Sequence, residues 1–344
     1  MKALSMPDLV TWEITEKCNM KCSHCSNYVN GSPISLSKEE CKKIIDQIHL
    51  GKVFKVSVEG GEPFMREDII ELIQYMNTKN IYPKIATNGT LLNEDMVNRL
   101  GDCIIDSVQV SLDGSDSQKY SSLRKSTKMF AQAVDGIKNL VKNNIYTSIA
   151  MVLTKETIND VMGLLNLAIE LKVNAVRFID FIPMGRGTVT QCPDAEELEK
   201  VYLTINEFKK KNKNLDIVIP TKITSLINKN SEKTILETIN KECGLMCEAG
   251  TLIAHIRANG DVYPCVYFRD SSFSCGNLLN ESFVKIWKES KVMNLFRSLG
   301  ELHEDCQKCG VKSHCMGGCR AYAYYKLGNI VEKDTRCWRN ENNI

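Results

Sequence analysis

Apolar and polar residues alternate along Leu9-Val-Thr-Trp-Glu-Ile-Thr15, the period of two that a strand with two unlike faces requires. Runs with strand character recur at Val53–Val58, Tyr82–Thr87, Ile105–Leu112, Tyr146–Leu153 and Ala175–Ile179. Between them, apolar residues at helical spacing predict helices over Lys38–His49, Arg66–Asn80, Glu94–Leu100, Phe130–Asn143 and Ile158–Leu171, with Ser37 and Asn93 as N-caps. Strands that alternate with crossover helices pair in parallel, so the pattern predicts an α/β fold, an open, partial (β/α)6 barrel over residues 1–187. A helix near Ala195–Lys211 opens a bridging helical segment over residues 188–240. From 241 to 344 the pattern changes to short strands, turns and cysteines, which marks a second, small domain.

Bulk composition adds mainly exclusions. At 344 residues, 43% apolar and 25% charged, the chain is long enough for two cores. Its 44 basic residues nearly balance 42 acidic ones, so no strong field argues for nucleic acid or a membrane surface as partner. Residues 1–12 lack the apolar core of a signal peptide, and no apolar run reaches the ~18 residues of a span. A cytoplasmic protein is expected.

The fifteen cysteines change the picture. In a reducing compartment, clustered thiols are read as metal ligands rather than disulfides. Cys41, Cys103 and Cys192 are scattered singly and suit buried apolar positions. Cys18, Cys22 and Cys25 follow the first strand directly, in the loop where βα barrels assemble their chemistry. Three close thiols without a fourth argue against a closed zinc site, which takes four ligands. They suit a [4Fe–4S] cubane with one iron left open.

This loop resembles the signature of the radical S-adenosylmethionine (SAM) enzymes, Cys-x3-Cys-x2-Cys with an aromatic residue or His before the last Cys, here His24. The resemblance implies that SAM chelates the open iron through its amine and carboxylate, that an electron enters its sulfonium, and that the resulting 5′-deoxyadenosyl radical abstracts a substrate hydrogen. The later strand ends agree in order. Gly60, Gly61 and Glu62 match the family's Gly-Gly-Glu-Pro, with Glu62 implied to accept from the SAM ammonium. Asn88 lies in the Thr-Asn-Gly that closes the third strand. Ser111 and Arg124 are implied to meet the polar part of SAM, Ile179 to lie beside adenine, and His24 to touch adenine through its backbone.

The C-terminal pattern Cys247-x12-Gly-x4-Cys265, then Cys306-x2-Cys309-x5-Cys315-x3-Cys319 and Cys337, is similar to the SPASM extension behind many radical SAM barrels. Such extensions hold two auxiliary clusters. The resemblance implies Cys243, Cys247, Cys265 and Cys319 for the nearer [4Fe–4S] cluster and Cys306, Cys309, Cys315 and Cys337 for the farther one, with Cys275 a competitor in the same region. Spacing alone equally permits two zinc sites of four thiolates.

The cofactors implied are therefore a SAM-binding [4Fe–4S] cluster, two auxiliary clusters and SAM, with an electron donor such as flavodoxin or ferredoxin. Sulfatase-maturing relatives carry an Asp directly after the cysteine matching Cys265; this chain has Val266. The expected substrate is instead a ribosomally made precursor peptide, crosslinked, oxidised or epimerised. Because the first strand starts by Leu9, recognition of a leader would require a separate leader-binding protein or a different surface. Decarboxylation of porphyrin propionates in alternative haem synthesis is the competing reaction, and a non-catalytic iron–sulfur carrier or zinc-stabilised binding protein the competing class. Glu59, Asp180 and the run Met184-Gly185-Arg186-Gly187 lie near strand ends without an assigned role.

Overall fold

The alternation in Leu9–Thr15 becomes β1: Val10, Trp12 and Ile14 are buried on one face, while Thr11, Glu13 and Thr15 take the other. The computed structural model describes residues 3–27, 31–219, 247–298, 302–309 and 315–337. The barrel then runs α1 (Lys38–Leu50), β2 (Lys55–Gly60), α2 (Ile69–Thr78), β3 (Lys84–Thr87), α3 (Glu94–Gly101), β4 (Ser107–Ser111), α4 (Ser117–Arg124), α5 (Lys128–Lys142), β5 (Thr147–Leu153), α6 (Val161–Glu170) and β6 (Ala175–Asp180). Both expected caps form. Ser37 and Glu40 make a reciprocal capping box on α1, and the Asn93 side chain accepts from Met96 N–H on α3.

Strands β1 to β6 pair in parallel, in sequence order. Their outward faces carry Val56, Val58, Ile85, Val108, Val110, Ile149, Met151, Val176 and Phe178, all buried in one core. The inward faces are different. Glu13, Ser57, Glu59, Lys84, Gln109, Ser148 and Arg177 all stand on that side, so the lumen is polar. A strand buried on both faces would read as a continuous apolar run, and the polar lumen is why these strands alternate.

Two expectations about the rest of the chain change. The segment 188–240 is not all bridge. After α7 (Ala195–Lys211), β7 (Asp216–Val218) pairs in parallel with β6 and adds a seventh parallel strand to the series begun by β1. Ile217 is fully buried there, but three residues behind a run of lysines and asparagines are too short a signal to read as a strand. Nor does the cysteine-rich part stand apart. Strand β8 (Ile253–Ile256) pairs in parallel with β1, and β9 (Asp261–Tyr263) and β10 (Gly276–Asn277) continue the same ten-stranded sheet antiparallel. Helices α8 (Phe283–Glu289), α9 (Lys291–Arg297), α10 (Glu304–Gln307) and α11 (Arg320–Leu327) follow. A second core, including Phe181, Ile182, Tyr263, Phe268, Phe273 and Tyr322, joins the end of β6 to this region. Among the described residues, no helix is long and apolar enough to cross a membrane.

Candidate active site

The loop after β1 is gripped from several strand ends. Gly61 N–H donates to Thr15 O at 2.7 Å and Glu62 N–H to Lys17 O at 2.8 Å. Asn88 Nδ2 donates to Asn19 Oδ1 at 2.8 Å, and Ser23 N–H donates to Leu123 O at 2.8 Å. From beyond β6, Arg186 donates to Cys25 O through its backbone at 3.0 Å and to Cys22 O through Nε at 2.7 Å. The run Met184–Gly187 thus braces the back of the cysteine loop. A Cβ at Gly185, where φ is +63°, would meet Cys25 O at 2.3 Å.

Cys18, Cys22 and Cys25 line one cavity of about 250 Å³ together with His24, Gly60, Gly61, Asn88, Ser111, Arg124 and Ile179. Burial raises the Cys18 thiol to about 11 against the bond from Met20 N–H, and raises Cys22 against the charge of Arg124. A bound metal reverses that preference, because a coordinating thiol is deprotonated.

Glu62 is held by the protein's own donors. It is fully buried and does not line the cavity. Its Oε1 accepts from Phe64 N–H at 3.2 Å and Thr87 Oγ1 at 2.7 Å, and its Oε2 from Asn88 N–H at 2.7 Å. The carboxylate ties the end of β2 to the end of β3. Gly60 and Gly61 are also needed for chain packing. A Cβ there would lie 2.3 Å from Thr15 O or 2.1 Å from Lys17 O, so the loops after β1 and β2 could not meet.

Arg124 is buried and held by Asp113, which takes Nε and Nη2 at 2.6 Å each. Its Nη1 points to Cys22 Sγ at 3.8 Å, leaving one edge of the fork on the cysteine loop. Burial opposes the charge on Asp113, but the Arg124 guanidinium outweighs it and holds the carboxyl below its usual range. The His24 ring sits beside the same carboxylate at 3.4 Å, and burial pushes it down to about 4, so it is neutral. Asn88 lines the cavity while its side chain braces Asn19 and Thr90.

On the far wall are Glu59, Gln109, Asp180, Phe181, Ile182, Val266 and Tyr267. The position after Cys265 therefore faces the cavity and is apolar. Asp180 accepts from Tyr202 Oη at 2.9 Å and lies 3.9 Å from Arg336. Burial raises Glu59 above the ordinary carboxylate range. Behind it is a network that the sequence did not reveal. Glu13 is bonded to His255 at 3.2 Å and paired with Arg269, and Arg269 also donates to Asn27 at 2.8 Å. Its members lie more than 240 positions apart, so no local pattern marks them.

In the C-terminal part, burial and then Cys337 raise the Cys306 thiol, with Cys309 adding to the effect. Cys315 is raised to about 12 by burial, then Cys337 and Cys306. Cys319 is raised to about 11 by burial and feels Cys247, while Cys265 and Cys319 both act on Tyr267. The charges of Cys306, Cys309 and Cys337 are thus felt around Cys306 and Cys315, and those of Cys247, Cys265 and Cys319 around Cys319 and Tyr267. Cys275 stands apart, its thiol on Phe273 O at 3.6 Å. Cys243 lies outside the described residues. Among those described, no three His, Cys, Asp or Glu side chains converge tightly enough for a single metal ion.

A partial βα barrel with a three-thiol loop at its first strand end, backed by a cysteine-rich extension, defines a class of cluster-dependent enzyme. Residues 12–168 match the model of the radical SAM superfamily, and residues 247–310 match the SPASM iron–sulfur cluster-binding domain. A mycofactocin maturase, MftC, of Mycobacterium tuberculosis is 30% identical across 98% of this chain and 84% of its own. An AdoMet-dependent heme synthase of Methanosarcina barkeri is 28% identical across 96% of each chain. The crystal structure of Streptococcus suis SuiB bound to SAM covers 98% of this chain and 78% of its own at a TM-score of 0.82 and 20% identity, which shows the shared fold. The chain belongs to the radical SAM superfamily and is an enzyme of that type.

The residues present fit its cofactors. Three thiols share one cavity with a guanidinium edge, a serine and an apolar residue, enough to seat a cluster and the polar and adenine ends of SAM. When bound, the cluster and SAM supply a 5′-deoxyadenosyl radical. The protein's own part is to brace the loop and keep Arg124 charged.

Proposed function

We propose that the enzyme abstracts a hydrogen from a ribosomally made peptide and so installs a crosslink or a related oxidation or epimerisation. Supporting this reading above all is the chemistry of the cavity wall. Among the described residues that line it, Glu59 and Asp180 are acidic, and the cation Arg124 is already paired with Asp113. That wall suits a neutral amide chain better than a porphyrin bearing several carboxylates. Val266 leaves no acid where the sulfatase-maturing relatives carry one. MftC is by name a maturase, and SuiB has been solved bound to its precursor peptide SuiA.

In this reading Cys18, Cys22 and Cys25 hold the SAM cluster. Cys243, Cys247, Cys265 and Cys319 hold the nearer auxiliary cluster, and Cys306, Cys309, Cys315 and Cys337 the farther. His24, Gly60, Gly61, Asn88, Ser111, Arg124 and Ile179 surround SAM. The reductant is a flavodoxin or ferredoxin, and the reduced thiols fit a cytoplasmic setting.

The near end-to-end match to the heme synthase favours porphyrin decarboxylation as the second reading. Incubating candidate precursor peptides, and separately an iron porphyrin, with enzyme, SAM and reductant, read by mass spectrometry, separates the two. A crosslinked product loses about 2 Da, for two hydrogens. Peptide left unchanged in both mass and solvent-deuterium content, with carboxyl loss from an iron porphyrin under the same conditions, replaces the peptide reading with the haem one.

A further inference from the structure

Glu59 is a buried acid with nothing to bond. Its Oε1 has no hydrogen-bond partner, although the side chain is 24% exposed to the cavity. The nearest ionic neighbour, His255 Nδ1, is 4.0 Å away and already bonded to Thr11 Oγ1 at 2.7 Å. The other ring nitrogen is taken by Glu13 at 3.2 Å. His255 therefore has no donor to offer Glu59. Oε1 itself is closed off, so the oxygen that a ligand in the cavity can meet is Oε2, which is also without a hydrogen bond among the described residues.

Two strands away stands a matching donor. Lys84 Nζ donates to Gln109 Oε1 at 2.6 Å. Because a charged lysine only donates, this bond fixes the amide so that Oε1 faces Lys84 and Nε2 faces elsewhere. Gln109 makes no other side-chain hydrogen bond among the described residues, and it lines the cavity.

The sheet puts the two groups in one row. Val58 is paired with Ile85 and Ala86 with Gln109, so Glu59, Ala86 and Gln109 are neighbours across β2, β3 and β4, and all three line the cavity. Strands two apart are separated by about 10 Å, and between them Ala86 offers only a methyl group. The result is a slot with an acceptor on one side and a donor on the other. Asp180 does not compete, since it is engaged by Tyr202 and Arg336.

We propose that Glu59 and Gln109 grip one backbone amide of the substrate, Glu59 accepting from its N–H and Gln109 donating to its carbonyl. This rests on the peptide reading and deepens it. The grip fixes which Cα or Cβ hydrogen faces the radical, and it selects for an amide over a carboxylate, which has no N–H to give.

The test uses the anaerobically reconstituted holoenzyme and a peptide that it converts, with each backbone amide N-methylated in turn. In the wild type, methylation at one position should raise KM roughly 10-fold, the scale of one lost hydrogen bond to a buried group. Glu59→Ala should raise KM for the unmodified peptide by a similar factor, and the methyl group should then add nothing. Glu59→Gln, which keeps an acceptor oxygen, should restore most of the loss. Gln109→Leu should raise KM without abolishing the methyl penalty. Iron content equal to wild type controls for folding. A flat methylation scan in the wild type overturns the proposal without reference to any variant, as does a full methyl penalty in Glu59→Ala. If the wild type converts a porphyrin and no peptide, the peptide reading and this inference fall together; if it converts the peptide with a flat scan, only the inference falls.

Discussion

The two cysteine sites are built in different ways. The loop of Cys18, Cys22 and Cys25 takes its anchors from far along the chain: Gly61, Asn88, Leu123 and Arg186 each hold it by a hydrogen bond. The C-terminal cysteines take theirs locally. Cys306 N–H donates to His303 O at 2.8 Å, Cys309 N–H to Cys306 O at 3.3 Å, and Cys337 N–H to Asp334 O at 3.0 Å. Asp334 is the hub there, also accepting from Cys319 N–H at 3.1 Å and pairing with Arg336 at 2.6 Å. The barrel makes its loop rigid before any metal arrives, whereas short turns need the metal to supply part of their folding energy.

The sharpest way to break that contrast is to remove the thiols of each site. Replacing Cys18, Cys22 and Cys25 together by Ala should remove about four of roughly twelve irons and abolish 5′-deoxyadenosine formation, while circular dichroism stays that of a folded barrel. Retained SAM cleavage would sink the role given to the loop. Cys309→Ala should spare some SAM cleavage but lose productive turnover, and product formed at the wild-type rate would show the farther cluster to be dispensable.

Next in size is Asp334→Ala. Removing one partner of a buried ion pair costs about 3–5 kcal/mol, and here it also strips an anchor from Cys319. We expect loss of auxiliary iron and faster proteolysis in the C-terminal part, with SAM binding in the barrel kept. Uniform protection from protease would mean that this part does not depend on its hub.

The smallest effect lies at the seam, where Glu13 on β1 meets His255 on β8 and Arg269. Burial alone would raise the Glu13 carboxyl, but the bond to His255 and the charges of His255 and Arg269 lower it from 4.5 to about 2. Its folded value is depressed, so its stabilisation is complete above about pH 4.5 and is lost as pH falls toward 2. The linked free energy is roughly 3 kcal/mol. Urea midpoints at pH 7 and pH 3.5 should therefore differ less for Glu13→Gln than for the wild type. An unchanged difference would remove Glu13 from the acid response.

Much of the barrel was legible because its outward strand faces must be apolar and its helices must be capped. The six strands follow from alternation, and Ser37 and Asn93 from the capping chemistry of α1 and α3. Helix α4 escaped notice, since Ser117–Arg124 carries few apolar residues at helical spacing. Strand β7 was too short to register. That Glu62 also ties the loops after β2 and β3 together was not legible, because its partners Thr87 and Asn88 lie on another strand end.

By itself, the sequence determined where the three thiols fall relative to the first strand, the count and spacing of the C-terminal cysteines, and the class of chemistry those patterns permit. These are local properties, set by residue type and period along the chain. Only the tertiary structure decided that Asp113 occupies one edge of Arg124, that β8 joins β1 and carries His255 to Glu13, and that Glu59 and Gln109 share a row facing the cavity. Each of those depends on which strands lie side by side and on the face each side chain takes, and hydrogen-bond partners distant in sequence leave no mark on the local pattern.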